Sequence, residues 1–178
     1  MSEIRIPNID VTTLSKKLRK DLRSDHAGET GAVMIYTGIL AVSRDPALRS
    51  FASTHLETEQ KHLELFDSWL SKEDKSRLLL LWSVSGYLLG AFAALISKRL
   101  TYYTIEIVEQ FVVEHYESQI LTAPRNLREI LLKLQAEEKE HQLEAITLQD
   151  DSQSQVRKLW GLIVDAGSRL AVNVARLI

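Results

Sequence analysis

The segments Glu59-Gln60-Lys61-His62 and Glu138-Lys139-Glu140-His141 decide which fold this sequence is expected to adopt. Each has the pattern Glu-x-x-His inside a run with helical periodicity, and a spacing of three residues places the carboxylate and the imidazole on one helix face. The two side chains can then bind the same metal ion or a bridged pair of ions. One such pattern would be unremarkable in a glutamate-rich sequence, but two indicate a site built by facing helices.

Both motifs lie within apolar stripes. A buried carboxylate with no partner is costly in free energy or takes up a proton, so a cation or a hydrogen-bond donor is expected beside each glutamate. The residues at helical spacing around the first motif are Leu48, Ala52, His55, Phe66 and Trp69, and those around the second are Leu131, Leu134, Ala145 and Leu148.

Two further glutamates complete the pattern of a two-metal bundle, which takes one glutamate from each of two additional helices. Glu29 precedes Glu59 by 30 positions and Glu109 precedes Glu138 by 29, which indicates two equivalent helix pairs. Four carboxylates neutralise two divalent ions, and oxygen and imidazole ligands without sulfur favour iron or manganese. The predicted metal ligands are Glu29, Glu59, His62, Glu109, Glu138 and His141.

Other polar residues near these positions are given different roles. Any one of the six glutamate and histidine positions, taken alone, is more often a salt-bridged or boundary residue, so the metal prediction depends on all six together. His26 and His55 are interpreted as structural histidines. Asp25, His115 and Tyr116 are candidates for the outer groups that orient metal ligands.

Prolines and polar clusters divide the sequence into helices. Asp45-Pro46 is a cap followed by a first-turn proline, and Ala123-Pro124 separates two periodic runs. Few alternating β-branched runs occur, so an all-α four-helix bundle in a single domain of residues 1–178 is expected, with an extra apolar segment between its second and third helices and a C-terminal helix. The predicted helices cover residues 13–42, 46–70, 101–122, 126–148 and 154–177, and the polar cluster at residues 149–153 precedes the last.

The apolar segment, residues 78–97, reads LLLLWSVSGYLLGAFAALIS and contains no charged side chain. A helix of about 20 apolar residues can cross a bilayer. A single crossing would put Glu29 and Glu59 on one side and Glu109 and Glu138 on the other, so the metal site could not form. A hairpin, an in-plane helix or a crossover at a membrane surface is therefore expected. The flanking basic residues that suit lipid headgroups are Lys72, Lys75, Arg77, Lys98 and Arg99.

Two other features concern helix packing. Gly86, Gly90 and Ala94 form a row of small residues that permits a close helix contact, either within the chain or across a homodimer. The apolar positions of the last helix, such as Leu159 and Ile163, are expected to pack on the core rather than on lipid.

The composition excludes several classes of function. Because the sequence has no cysteine, it has no disulfide, thiolate zinc site, iron–sulfur cluster or cysteine nucleophile. A formal net charge of -2 provides no field that would attract nucleic acid. The first ten residues, MSEIRIPNID, lack the apolar core of a signal peptide, which is expected of a bacterial or an already processed protein.

A group of motifs is similar to those of the demethoxyubiquinone hydroxylases of ubiquinone biosynthesis. The motifs are Asp25-His26-Ala27-Gly28-Glu29-Thr30-Gly31-Ala32 with Ile35-Tyr36, Glu59 to His62 with Leu63 and Phe66, Val108-Glu109 with His115-Tyr116 and Gln119-Ile120, Glu137 to His141, and Leu81-Trp82 with Gly86 to Gly90. The resemblance extends from about Leu22 to the C-terminus. It implies a ferritin-like fold in which the six predicted ligands hold two iron ions, and the iron centre uses dioxygen to hydroxylate the ring of a membrane-embedded polyprenyl quinol.

The same resemblance implies a peripheral protein on the cytoplasmic face of a bacterial inner membrane, or on the matrix face of the mitochondrial inner membrane. A homodimer or a lipid-binding protein of the pathway is a further expected partner. The alternative function is a ferritin-like or rubrerythrin-like iron oxidase or peroxidase, which would not need the apolar segment. A membrane-surface helical scaffold without metal is a third interpretation, and the charge balance argues against a tRNA-modifying di-iron hydroxylase.

Overall fold

Six α-helices make up most of the computed structural model, which describes residues 9–149 and 154–178. A short 3-10 turn, Val11–Thr13, precedes the first helix, and the described residues contain no strand. The all-α prediction is confirmed, and each predicted helix is found within a few residues of its expected bounds. Residues 150–153 of the predicted polar cluster lie outside the described residues. The helices are α1 Lys16–Val42, α2 Pro46–Trp69, α3 Leu79–Ile96, α4 Lys98–Ile120, α5 Arg125–Thr147 and α6 Gln155–Ala175.

Side-chain caps set the start of the first two helices. The Ser15 hydroxyl accepts a hydrogen bond from the backbone N–H of Leu18, so α1 begins at Lys16 and the preceding residues form the separate 3-10 turn. Asp45 caps α2 in the same way, and Pro46 occupies the first turn as predicted.

A single residue separates α3 from α4. Ser97 has an extended backbone, with φ of -172° and ψ of 155°, and its side chain accepts a hydrogen bond from the N–H of Leu100. Helix α4 therefore begins at Lys98, which is three residues before the start expected from hydrophobic periodicity. The apolar segment forms one continuous helix, α3, and only Ser97 separates it from α4, the third helix of the bundle.

Two apolar clusters occupy the interior of the bundle. One contains Leu22, Phe66, Tyr116 and Leu131, and the other contains Tyr36, Phe51, Ile105 and Ala145. Along each of the helices α1, α2, α4 and α5, the predicted metal-ligating glutamate lies between a residue of the first cluster and a residue of the second. The polar site is therefore enclosed by apolar packing at both ends.

Helix α3 packs against α1 with backbone close to backbone. A Cβ atom added at Gly86 would lie 2.3 Å from the carbonyl oxygen of Gly31, and one added at Gly90 would lie 2.0 Å from the carbonyl oxygen of Ile35. Glycine, which has no Cβ atom, permits this approach. The row of small residues therefore makes its close contact within the chain, which was one of the two arrangements expected for it.

The outward faces of α3 and α6 are apolar and exposed. By length and composition alone, α3 is the one helix among the described residues that could cross a membrane. The expectation that α6 packs on the core is met only in part, because Gly161, Val164, Val172 and Ala175 are buried whereas other apolar residues of α6 are not. The exposed large apolar side chains are Leu80, Leu81, Val84, Leu88, Phe92, Leu95 and Ile96 on α3, and Val156, Leu159, Leu162, Ile163 and Leu170 on α6.

One residue of the predicted buried stripes is misplaced. Leu148 was expected on the face of His141, but it follows the end of α5 at Thr147 and is exposed. The helical periodicity on which the prediction relied stops one residue earlier.

Replacing Gly90 with alanine should lower the free energy of unfolding by about 1–3 kcal/mol, because the added methyl group forces two helix backbones apart. Gly167 is the matched control, since nothing lies within 4 Å of a Cβ atom added there. Gly167→Ala should stabilise the protein by roughly 0.5–1 kcal/mol. Urea unfolding of both metal-free variants measures these changes, and wild-type stability of Gly90→Ala would contradict the backbone contact.

Candidate metal centre

The six predicted ligands converge in the middle of the bundle, and all are buried. Glu29 comes from α1 and Glu109 from α4, whereas each Glu-x-x-His motif provides a pair from α2 or α5. Two groups of four residues bring one potential ligand atom per residue within 4.8 Å of one another. Position A consists of Glu29, Glu59, His62 and Glu138, and position B consists of Glu59, Glu109, Glu138 and His141.

Glu59 and Glu138 belong to both positions, so their carboxylates lie between the two potential metal sites. In position A, the Nδ1 atom of His62 lies 2.9 Å from Oε1 of Glu138 and 3.8 Å from Oε2 of Glu29. In position B, the Nδ1 atom of His141 lies 3.0 Å from Oε1 of Glu59 and 3.3 Å from Oε2 of Glu138. Both imidazoles therefore direct the same ring nitrogen toward the shared carboxylates.

Several inward-facing atoms have no hydrogen-bond partner among the described residues. They are buried, and they lie close together without the alignment that a hydrogen bond requires. A buried polar atom without a partner costs about 1–3 kcal/mol. Atoms of the types that bind iron or manganese thus converge on common points, so the residues fit a pair of metal ions. The unpartnered atoms are Oε1 of Glu59, both carboxylate oxygens of Glu138, and Nδ1 of His62 and of His141.

Three outer groups hold the converging side chains. The Tyr116 hydroxyl donates a hydrogen bond of 2.5 Å to Glu29, and the Tyr36 hydroxyl donates one of 2.9 Å to Glu109. Glu137 lies on the other side of His62, with 2.6 Å between its Oε2 atom and Nε2 of the imidazole. Each contact restricts the orientation of a side chain that faces the centre.

Sequence reasoning proposed Tyr116 as an outer group but missed Tyr36 and Glu137. Tyr36 lies two turns after Glu29 on the same helix face, and it was noted only as part of a family motif. The Glu137 side chain is 51% exposed, and it was likewise named only within a family motif. Because Tyr36 lies on the helix face of Glu29, its hydroxyl could have been expected to reach a ligand on a facing helix. No local pattern indicated that Glu137 would contact a histidine.

Asp25 and His115 are brought together, but among the described residues neither side chain forms a hydrogen bond or ion pair with a predicted ligand. Nε2 of His115 lies 2.9 Å from Oδ1 of Asp25, and the Gln119 amide donates a hydrogen bond of 2.7 Å to the same oxygen. Of the three predicted outer groups, Tyr116 alone hydrogen-bonds to a predicted ligand within the described residues.

The two histidines interpreted as structural have different surroundings. Nε2 of His26 lies 2.8 Å from the Asp67 carboxylate, as expected for a structural pair. His55 packs its ring edge against His141, with ring centroids 4.1 Å apart, and its Nε2 atom lies 3.1 Å from Glu144. His55 is therefore a neighbour of the candidate centre.

The carboxylates strongly affect one another. Burial raises the pKa of Glu29 and of Glu109 well above the usual value, and the neighbouring charge of Glu138 adds to the effect in both. Burial and the charge of Glu138 also raise the pKa of Glu59, to about 7. Glu138 is the exception, because contacts with both imidazoles outweigh burial and lower its pKa to about 2.

The pKa values of the two imidazoles are also raised, although burial acts against the shift. Burial lowers the pKa of His62, but contacts with Glu137 and Glu138 outweigh burial and raise it to about 12. Contacts with Glu138 and Glu59 likewise raise the pKa of His141 to about 11, against the effect of burial. The metal-free centre therefore takes up protons to balance its negative charge, and divalent cations would supply that charge instead.

A cavity of about 530 Å³ adjoins the centre. The carboxylates of Glu29 and Glu109 line it together with apolar side chains of α3 and α6, which include Leu81, Trp82 and Ile163. The cavity thus joins the polar centre to the two helices whose outward faces are apolar and exposed.

The chain is similar in sequence to known proteins over most of its length. A family model described as "Ubiquinone biosynthesis protein COQ7" matches residues 16–175. The NADPH-dependent 3-demethoxyubiquinone 3-hydroxylase of Homo sapiens is 30% identical over 163 residues, covering 86% of this chain and 75% of the human protein. The enzyme of the same name from Caenorhabditis elegans is 32% identical over 133 residues, covering 70% of this chain and 71% of that protein.

A bacterial relative is similar over a shorter stretch. The 3-demethoxyubiquinol 3-hydroxylase of Rhodospirillum rubrum is 38% identical over 101 residues, covering 55% of this chain and 48% of the bacterial protein. Because the family match extends from the start of α1 to the end of α6, the chain belongs to the family of the ubiquinone biosynthesis protein COQ7.

Proposed function

We propose that this protein is a di-iron, dioxygen-dependent monooxygenase that hydroxylates the ring of a polyprenyl demethoxyubiquinol in ubiquinone biosynthesis. The activities named for the relatives support this reaction. The observation that carries the proposal is the pair of four-residue positions sharing Glu59 and Glu138 beside a largely apolar cavity. An iron oxidase or peroxidase would use the same ligands, but it would need neither this cavity nor the exposed faces of α3 and α6.

In this proposal, positions A and B each hold one iron ion. Glu29 and His62 would bind only the ion at position A, and Glu109 and His141 would bind only the ion at position B. Glu59 and Glu138 would contribute to both positions. When bound, the iron pair supplies the reduction of dioxygen and the transfer of one oxygen atom to the substrate.

The protein side chains hold the centre and keep water away from it. Tyr116 and Tyr36 donate hydrogen bonds to Glu29 and Glu109, which keeps one oxygen of each carboxylate engaged and orients the other. Glu137 accepts a hydrogen bond from the Nε2–H group of His62, which leaves Nδ1 free to bind metal. The largely apolar lining of the cavity limits the water that surrounds the reacting ring.

The outward faces of α3 and α6 are the proposed membrane contact of a peripheral protein. A polyprenyl quinol is nearly insoluble in water, so a cavity between two lipid-facing helices gives its ring a path from the bilayer to the centre. Burial of exposed apolar surface contributes about 25 cal/mol per Å². Because both helix pairs contribute ligands to one centre, α3 lies on the membrane surface and the two bundle halves stay on the same side.

The proposed reaction is tested by a single turnover. The protein is loaded with Fe(II) under anaerobic conditions and mixed with demethoxyubiquinol, after which oxygen is admitted and the product mass is measured. We expect close to two iron ions per chain and one added oxygen atom per product, because the two ferrous ions supply the two electrons that the reaction requires. Iron well below one ion per chain, or an unchanged quinol in fully loaded protein, would contradict the proposal.

Removing a shared carboxylate should abolish this turnover. Glu59→Ala and Glu138→Ala should each reduce product formation by at least about 100-fold, the upper end of effects seen on removing groups that support a metal site. Both variants should keep their helical circular dichroism, so that the loss of turnover reports on the centre and not on the fold. Glu64→Ala, an exposed glutamate of α2, is the control that should retain activity. Full turnover by either iron-loaded shared-carboxylate variant would refute the ligand assignment.

Stabilisation by metal should increase with pH. The pKa values of Glu59, His62 and His141 are raised to about 7, 12 and 11, so protons compete with metal at these groups. In the metal-free protein, the raised pKa of Glu59 gives a stabilisation that is present below its ordinary value of 4.5 and lost as the pH rises through about 7. Thermal unfolding with and without Mn(II) measures the difference, which should grow from about pH 6 to about pH 8. A shift of the melting temperature that is constant with pH would contradict proton competition.

Charged substitutions on the outer face of α3 should weaken membrane binding. Leu88 and Leu95 are highly exposed, and each leucine buried in lipid contributes roughly 1.5–3 kcal/mol. The double variant Leu88→Glu with Leu95→Glu should therefore bind lipid vesicles at least about tenfold more weakly in sedimentation assays. The control is Leu132→Glu with Leu143→Glu, which places the same charges at exposed leucines of α5. Equal binding by the two double variants would rule out α3 as the membrane contact.

A further inference from the structure

The two metal positions differ in the group that contacts the outer side of their histidine. At position A, Nε2 of His62 is 2.6 Å from the Glu137 carboxylate while Nδ1 faces the centre. A carboxylate on the outer nitrogen fixes which nitrogen carries the proton, holds the ring in orientation and makes the inner nitrogen a stronger ligand. Position A therefore has a histidine that is already prepared for metal binding.

His141 of position B has no such direct support in the described part of the chain. The carboxylates within 4.0 Å of His141 there, those of Glu59 and Glu138, contact its inward-facing Nδ1 atom. The group beside its ring is His55, which meets it at an interplanar angle of 75°. Nε2 of His55 lies 3.1 Å from a carboxylate oxygen of Glu144. His141 is thus supported by packing against the ring of His55, and the Glu144 carboxylate contacts His55 rather than His141 itself.

His55 also packs against Tyr36, which is the hydrogen-bond donor to Glu109, the other ligand specific to position B. Its ring stacks on that of Tyr36, with centroids 5.7 Å apart, and Tyr36 donates its hydroxyl to Glu109. One side chain therefore contacts the ring of His141 and the hydrogen-bond donor of Glu109.

A histidine at this place is not explained by packing. His55 is buried, and neither of its ring nitrogens has an aligned hydrogen bond within the described residues. An apolar side chain would fill the space beside Phe51 without leaving buried polar atoms unpaired. The half-exposed Glu144 carboxylate lies beside the imidazole, as expected if the pair orients the ring that His141 packs against.

Resting on the metal centre proposed above, we infer that the two positions are unequal. Position A, whose His62 is held directly by Glu137, binds its ion first and more tightly. Position B binds second, and His55 with Glu144 is a positioning pair for its ligands.

The inference is tested by titrating the metal-free protein with Co(II), following heat by calorimetry and the cobalt absorption bands in the visible spectrum. Wild type should bind one ion per chain in each of two separate steps. Glu137→Gln should weaken the first step by about 10–100-fold and bring the two steps together. Glu144→Gln and His55→Ala should weaken the second step alone and separate the steps further. The spectrum of the second ion should change in His55→Ala and partly recover in His55→Gln, whose amide keeps a polar group near Glu144.

Glu140→Gln is the matched control, because it makes the same change of charge at an exposed glutamate of the same helix. It should leave both steps unchanged, and circular dichroism should show that every variant is folded. Two equal ions bound in one step by wild type would overturn the inference, as would an unchanged second step in both Glu144→Gln and His55→Ala. If wild type binds no cobalt, the proposed metal centre itself fails, so the two failures are distinguishable.

Discussion

Four carboxylates buried within the apolar interior of a helical bundle are the constraint on which this structure depends. Glu29, Glu59, Glu109 and Glu138 are almost inaccessible to water and close enough to repel one another. Such a group persists only if positive charge is close by, and two imidazoles, their protons or metal ions can supply it. Apolar clusters above and below the site stabilise the bundle. The fold can therefore tolerate a middle layer of buried glutamates that lowers its stability.

The same constraint determines how the apolar helix can be arranged. One half of the ligands precedes α3 in the chain and the other half follows it, yet both halves meet at Glu59 and Glu138. A helix that separated the halves across a membrane would dismantle the centre. Its outward face is apolar and exposed while its glycine face packs on α1, and the cavity lined by α3 and α6 residues reaches the buried glutamates.

The sequence predicted those features that depend on spacing along a single helix. Glu-x-x-His pairs and cap residues act over one turn, so the convergence of each pair on one helix face and most helix bounds follow from local patterns. Features that depend on contacts between distant segments were not predictable in this way. The pairing of Glu137 with His62, the hydroxyl of Tyr36 reaching Glu109, and the packing of His55 on His141 each join residues from different helices. The early start of α4 was missed for another reason, since a single extended serine replaced the expected loop.

The close contact between α3 and α1 has a consequence for engineering. Deleting α3 to obtain a more soluble variant would uncover the α1 backbone at Gly31 and Ile35, within two turns of Glu29. The exposed apolar side chains of α3 and the glycines that contact α1 lie on opposite faces of the same helix. Solubility can therefore be redesigned by editing the outward face alone, with Gly86 and Gly90 left in place.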